Sequence, residues 1–263
     1  LFKENNIDFS AYREGFEVET PEFMWPDMGT GKSVSSGTAT GYALLSYFGK
    51  VNYSYNDRYL VSGTIRYDGS SRFGKNNRFG TFPAFSLGWR MSEEAFIKEN
   101  ASVISDLKLR LGWGQTGNQE ISNTAIYNIY VPDYGMGDPT WGAVNGTSYD
   151  ITGDGKQELP SGFKLTQRAN DDLKWETTTQ TNVGVDFGLW DQSLYGSAEY
   201  YMKKTKDILV LPPYLAAIGE GGNRWVNGAS MQNWGLEFNL GYRNTTHFGL
   251  TYDISANISS YRN

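Results

Sequence analysis

The chain has 263 residues, enough for one large domain or two small ones, and its formal net charge of −6 is the wrong sign for a surface that neutralises nucleic-acid phosphates. It has no cysteine and a single histidine, His247, which excludes disulfides, thiol nucleophiles and sites built from several imidazoles. Eight Trp, 18 Tyr, 14 Phe and 31 Gly favour strands and turns, and no apolar run reaches the length of a membrane helix.

Residues 1–41 lack alternation and are expected to form a loop region. At period two, residues 42–55 place Ala43, Leu45, Tyr47, Val51, Tyr53 and Tyr55 on one face and Ser46, Lys50, Asn52 and Ser54 on the other. After the turn Asn56-Asp57-Arg58, residues 59–68 repeat the pattern with Tyr59, Val61, Ile65 and Tyr67 against Ser62, Thr64, Arg66 and Asp68, so the pair reads as a hairpin. A Gly- and Asn-rich connection over 69–80 leads to a third strand, with Phe85, Leu87, Trp89 and Met91 opposite Ser86, Gly88 and Arg90. Ser92 followed by Glu93 and Glu94 predicts one or two helical turns opened by a capping hydroxyl. From Leu107 the alternation returns, Leu107, Leu109, Leu111 and Trp113 against Lys108, Arg110 and two glycines. The irregular stretch that follows, to about Asp172, is too long for an ordinary connection and is expected to be functional, partly structured or both.

The second half supplies the remaining strands. Thr181, Val183, Val185, Phe187 and Leu189 face away from Asn182 and Asp186, and Leu194, Ala198, Tyr200 and Met202 face away from Ser197, Glu199, Tyr201 and Lys203. Beyond a Pro- and Gly-rich segment, Trp234, Leu236, Phe238, Leu240 and Tyr242 stand against Glu237, Asn239 and Arg243. The last strand sets Phe248, Leu250, Tyr252, Ile254, Ala256 and Ile258 against Thr251, Asp253, Ser255, Asn257 and Ser259.

Connections at 56–58, 190–193 and 244–247 are short, while those at 69–80, 117–172 and 209–231 are long, with a helical one at 92–106. Outer-membrane barrels have this rhythm, short periplasmic turns alternating with long outer loops, and they carry aromatic girdles of the kind Tyr53, Tyr55, Tyr59 and Trp190 suggest. The expected fold is all-β, an antiparallel transmembrane β-barrel segment of about eight strands. A soluble extracellular glycan-binding β-sandwich remains the alternative, and a closed barrel of about eight strands is a third reading.

On the polar face stand Arg66, Arg90, Lys108, Arg110, Asp186, Glu199, Lys203, Glu237, Arg243 and Asp253. Two carboxylates suitably spaced could cleave a glycoside, but the simpler reading is that these charges pair with one another across a wet lumen. His247 falls in a turn and is read as solvated, so no catalytic residue and no cofactor is expected. Asp150, Thr152 and Asp154 open like a calcium loop, yet position twelve is Ser161 where a bidentate Glu belongs, so a Gly-rich turn is the better reading and no metal is expected. Tyr134, Trp141, Tyr149, Tyr214 and Trp225 offer aromatic faces to a substrate or partner, with Arg72 and Arg224 as hydrogen-bond forks beside them.

Asn56-Asp57-Arg58-Tyr59-Leu60, Arg66-Tyr67-Asp68-Gly69-Ser70-Ser71-Arg72-Phe73-Gly74 and Phe82-Pro83-Ala84-Phe85-Ser86-Leu87-Gly88-Trp89-Arg90 resemble the C-terminal barrel of SusC/RagA-type TonB-dependent transporters. Asp106-Leu107-Lys108-Leu109-Arg110, Gln115-Thr116-Gly117-Asn118 and Leu173-Lys174-Trp175-Glu176-Thr177-Thr178-Thr179-Gln180 extend the resemblance in the same order. It implies an outer-membrane importer of oligosaccharides or oligopeptides, with a plugged barrel of about 22 strands. It also implies a SusD-like surface lipoprotein as partner, energy from TonB through an N-terminal part, and contact with membrane lipid but not with nucleic acid. On that reading residues 1–41 are an outer loop region and 42–263 part of the barrel, with the plug domain and TonB-contacting segment absent from this chain.

Overall fold

The computed structural model describes residues 1–133, 162–213 and 222–263, apart from 19, 23 and 26. Two compact units divide the chain, Leu1–Leu45 and Ser46–Asn263. In the first, strand β1 (Phe2–Arg13) pairs antiparallel with the opening of strand β2 (Ser33–Tyr55), from Phe2 opposite Leu44 to Arg13 opposite Ser33. The stretch 1–41, read as a loop region for want of alternation, thus contains a paired hairpin. Almost every residue of the hairpin is exposed on both faces. With no face to bury, apolar residues have no reason to recur at every second position, and the alternation that reveals a strand is missing. Backbone pairing holds it, with a tight corner in which Gly15 sits at φ +75° and a Cβ would lie 2.8 Å from the Gly31 nitrogen.

The second unit continues with β3 (Tyr59–Ser70), β4 (Phe79–Arg90), a 3-10 turn (Met91–Glu93), α1 (Ala95–Lys98), β5 (Ile104–Asn118), β6 (Ile129–Asp133), β7 (Gly162–Arg168), β8 (Glu176–Leu189), β9 (Leu194–Val210), β10 (Asn223–Arg224), β11 (Val226–Thr245) and β12 (Thr251–Arg262). From the later part of β2 onward the main sheet runs β2-β3-β4-β5-β8-β9-β11-β12. Its pairs from β3 to β12 are all antiparallel. A small second sheet, β10-β7-β6, is built within the long connections, so the stretch after β5 is partly structured.

Register carries the predicted faces across the whole sheet. Val61 stands opposite Leu87, Leu87 opposite Leu111, Leu111 opposite Val183, Val183 opposite Tyr200 and Tyr200 opposite Leu236. A slip of one residue in any pair would turn one strand's apolar set to the opposite face of the sheet. The apolar face is bare, with Val51 71% and Ile258 69% exposed, and a soluble sandwich would have buried those residues. The sandwich reading therefore gives way. The sheet is also open, since β12 pairs only with β11 among the described residues, which removes the closed barrel of about eight strands.

Some boundaries differ from expectation. Neither short helix has a side-chain cap, and Ser92 is buried with its hydroxyl donating to Asp106 Oδ1 at 3.3 Å. Strands β9 and β11 run on until Val210 faces Val226, with bulges near 227–231 and Asp207 at φ 57° absorbing the mismatch. Strand residues accordingly take up 209–210 and 226–231 of the predicted loop at 209–231. The last strand opens at Thr251, leaving Phe248 and Leu250 in the turn.

The strand ends flanking 56–58, 91–103, 190–193 and 246–250 lie at one end of the sheet, and those at 70 and 79, 118 and 176, and 210 and 226 at the other, because strands alternate in direction. Buried apolar side chains gather at the second end: Phe73, Phe82, Ile121, Ala125, Leu173 and Trp175.

Candidate functional site

Chemistry collects in two places on the second unit, the charged face of the sheet and the packed connections at its long-loop end. On the charged face, Arg110 of β5 meets Asp186 of β8 at 2.8 Å through Nε and through Nη2, and Glu199 of β9 at 3.1 Å through Nη1. Asn182 Nδ2 donates to the other Glu199 oxygen at 2.5 Å. A planar fork held by two carboxylates is the geometry for which arginine is suited. Nearer the short turns, Arg243 donates to Asp253 Oδ2 from Nε at 2.9 Å and Nη2 at 2.7 Å, while the Tyr195 hydroxyl donates to Asp253 Oδ1 at 2.6 Å. The Arg243 guanidinium lies 5.5 Å from the Tyr195 ring centre.

Arg66 pairs with Asp68 at 3.3 Å and Arg90 with Glu93 at 3.6 Å. Among the described residues Lys108, Lys203 and Glu237 form no ion pair. Asn52, Ser62, Lys108, Arg110, Asn182 and Glu199 border a shallow hollow of about 470 Å3 on this face. Asp186, Glu199 and Asp253 are thus engaged by guanidinium groups, an arrangement that fixes charge in place.

The second place is a knot of connections. The Ser70 hydroxyl donates to Gln119 Oε1 and accepts from the Arg72 backbone N–H at 3.1 Å. Arg72 is only 7% exposed, and it donates to Asn123 Oδ1 at 2.7 Å, the Gln119 carbonyl at 3.2 Å and Glu120 Oε1 at 3.1 Å. This corrects its reading as a fork offered to an incoming substrate. Burial beside three acceptors commits the guanidinium inward. Phe73 and Trp175 lie 5.2 Å apart, Phe82 meets Trp175 edge-on at 5.5 Å, and Trp175 Nε1 donates to the Arg78 carbonyl at 3.1 Å. Gly117 is required under the Phe82 ring, where a Cβ would approach to 2.1 Å.

Residues 167–174 and 223–227 are stitched together here. Asn223 and Arg224 pair in parallel with Gln167 and Arg168. Asn170 donates to the Trp225 carbonyl at 2.7 Å and accepts from Arg224 Nη2 at 3.2 Å. Asn227 donates to the carbonyls of Lys174 at 2.9 Å and Asp207 at 2.8 Å and accepts from the Lys174 N–H at 3.1 Å, replacing a stretch of ladder with one amide. Arg224 is exposed, and Trp225 is half-buried. Tyr134, Trp141, Tyr149 and Tyr214, and the calcium-loop candidates Asp150, Thr152 and Asp154, lie outside the described residues.

Sequence reasoning missed Gln119, Asn123, Asn170 and Asn227. Their signal was present as amide residues flanking Gly-rich turns, where side chains substitute for backbone partners.

At the opposite end, Glu94 gathers Tyr59 Oη at 2.7 Å, Trp89 Nε1 at 3.1 Å and Arg58 Nη1 at 3.3 Å. The hydrogen bonds from Tyr59 and Trp89 and the Arg58 charge hold its carboxyl below the usual carboxylate range. Glu93 is lowered as well, mainly by its hydrogen bond from Lys98 at 2.6 Å.

An open antiparallel sheet with one bare apolar face, one ion-paired face, short turns at one end and long connections at the other defines the wall of a membrane β-barrel. A family described as TonB dependent receptor-like, beta-barrel matches residues 4–263. The TonB-dependent receptor SusC of Bacteroides thetaiotaomicron is 39% identical over 221 residues, covering 84% of this chain and 20% of that protein. The TonB-dependent receptor P3 of Formosa agariphila is 35% identical over 220 residues, covering 84% of this chain and 20% of its own. In fold, the RagAB peptide transporter superimposes with a TM-score of 0.73 at 22% identity, over 99% of this chain and 30% of that one.

The chain belongs to the TonB-dependent receptor-like β-barrel family of outer-membrane proteins, and in sequence it is similar to SusC. It spans about a fifth of the length of the curated relatives it matches.

Proposed function

We propose that this chain is a stretch of barrel wall in an importer of oligosaccharides or oligopeptides that works with a SusD-like surface lipoprotein and draws energy from TonB. The observation that carries the reading is the 39% identity to SusC, sustained over 84% of the chain. The unbroken apolar row from Val61 to Leu236 supports placing that face against lipid, and the Arg110 and Arg243 clusters support placing the other toward the lumen. The short turns then face the periplasm, and the knot and its long connections face outward, where a lid and a substrate arrive. Residues 1–41 belong to that outer side on the same reading.

The test uses the full-length transporter in its own host. Deleting its gene should abolish uptake of one labelled oligosaccharide or oligopeptide class, complementation should restore it, and loss of TonB should remove it again. A surface lipoprotein of the SusD type should co-purify with it. Uptake that survives loss of the gene or of TonB would overturn the proposal. Protease added to intact cells should cut within 119–175 before any short turn, and cutting confined to the short turns would invert the topology.

A further inference from the structure

On the apolar face of β3, β4 and β5 the register lays out three rows. Tyr59, Trp89 and Leu109 form the first, Val61, Leu87 and Leu111 the second, and Gly63, Phe85 and Trp113 the third. Rings make the outer rows tall. Tyr59 stacks with Trp89 at 6.4 Å between centroids and with Tyr55 at 6.4 Å, and Phe85 stacks with Trp113 at 5.1 Å. The aliphatic row between them is low. A hollow of about 260 Å3 opens beside it, bordered by Tyr59, Val61, Leu87, Trp89, Leu109 and Leu111. The two aromatic ridges are four residues apart along a strand, about 13 Å at the usual rise.

The turn-side wall of this groove is built differently. Tyr59 and Trp89 turn their carbon faces to the hollow while their polar atoms both reach Glu94. Arg58 pairs with Glu94 at 3.3 Å, and Glu93 takes Lys98 at 2.6 Å and Arg90 at 3.6 Å. Arg58 is 39% and Lys98 57% exposed along the side chain, so both still offer donors outward. Cations and carboxylates alternate at this corner instead of presenting one sign. A ligand that matches both parts has a hydrocarbon body and a head carrying one negative and one positive group.

We propose that the groove is a lipid site: one acyl chain of a zwitterionic phospholipid lies over Val61, Leu87 and Leu111 between the aromatic ridges, its phosphate meeting Arg58 and Lys98 and its ammonium meeting Glu93. The hollow is smaller than ordinary small-molecule pockets, as suits a single chain. The assignment rests on the reading that this face meets lipid. It goes further by naming one headgroup chemistry and one place on a surface that otherwise contacts lipid without selection.

The full-length transporter is reconstituted in phosphatidylglycerol bilayers containing a minor fraction of phosphatidylethanolamine brominated on its chains. The Trp89 contribution to fluorescence is taken as the difference from Trp89→Phe. Quenching of that contribution should exceed the mole-fraction expectation about fivefold. Swapping which lipid carries the bromine should reverse the excess. Arg58→Gln should remove the preference, and Val61→Phe, which fills the hollow from an exposed position, should remove it while the protein still folds. Native mass spectrometry should retain one phosphatidylethanolamine on the parent protein and none on Val61→Phe. Quenching in simple proportion to mole fraction for both headgroups would overturn the site and leave the lipid-facing reading standing. No quenching of Trp89 in any bilayer would overturn both.

Discussion

The sheet and the knot hold their shape by opposite means. In the sheet, bare apolar residues such as Val51 and Ile258 line one face and hydrated charges the other, so order resides in the backbone ladder. In the knot, Phe73 and Leu173 are fully buried, Trp175 is nearly so, and amide side chains stand where ladder bonds would be. Packing inside a membrane wall depends on the solvent around it, whereas packing in the knot is internal and behaves like the core of a soluble domain. The same kind of substitution should therefore cost different amounts in the two regions.

The largest contrast is between two tryptophans. Trp175→Ala empties the knot beside Phe73 and Phe82 and should cost about 3–5 kcal/mol. Trp234→Ala, on the bare face at 38% exposure, should stay within about 1 kcal/mol in detergent. Urea or thermal unfolding of the full-length protein measures both, and equal losses would erase the distinction between the regions. Next in size is the contrast between the faces themselves: Ile254→Arg should cost about 2–4 kcal/mol in a bilayer if the site is near the midplane, and Ser255→Arg much less. Equal costs at these neighbours would mean that the two faces do not meet different surroundings.

A subtler change tests the amide that joins three segments. Asn227→Asp removes both donors from the Lys174 and Asp207 carbonyls and sets a negative charge against them, for a loss of about 1–3 kcal/mol. Hydrogen exchange should then rise at 174–176 and 207–209 and remain unchanged in β12, and a uniform rise would make Asn227 an ordinary strand residue.

The smallest effect is electrostatic and lies in the turn between β4 and β5. Glu94 has a carboxyl lowered by Tyr59, Trp89 and Arg58, so its contribution is complete above the unfolded carboxylate range and is lost as pH falls through the lower folded pKa. Melting followed from neutral pH downward should show a shallower acid decline in Glu94→Gln than in the parent. An unchanged slope would remove Glu94 from the pH response.

How much of this was legible follows the same division. Period-two alternation placed Val61, Leu87, Leu111, Val183 and Leu236 on one face before any register was known, because an apolar face against a polar one is what the pattern encodes. The β1 hairpin escaped for want of any buried face, and β10 escaped because a strand as short as Asn223–Arg224 carries no period. Arg72 was misjudged because an arginine's destination depends on Gln119, Glu120 and Asn123, far from it in the chain. Arg110, by contrast, was placed among its carboxylates' face-mates by parity alone, and only the choice of Asp186 and Glu199 needed coordinates.

The bond from Trp175 to the Arg78 carbonyl joins residues 97 apart, and Asn77 reaches the Asp172 carbonyl across 95. Hairpins such as β3–β4, β8–β9 and β11–β12 close between neighbours in sequence and can form early, but these contacts must wait until β4, β5 and β8 lie side by side. Until then Phe73, Leu173 and Trp175 are adhesive surface on an unfinished chain. The knot is thus tied to assembly order: it closes only once the intervening strands have found their neighbours, and a strand inserted out of turn would leave it open.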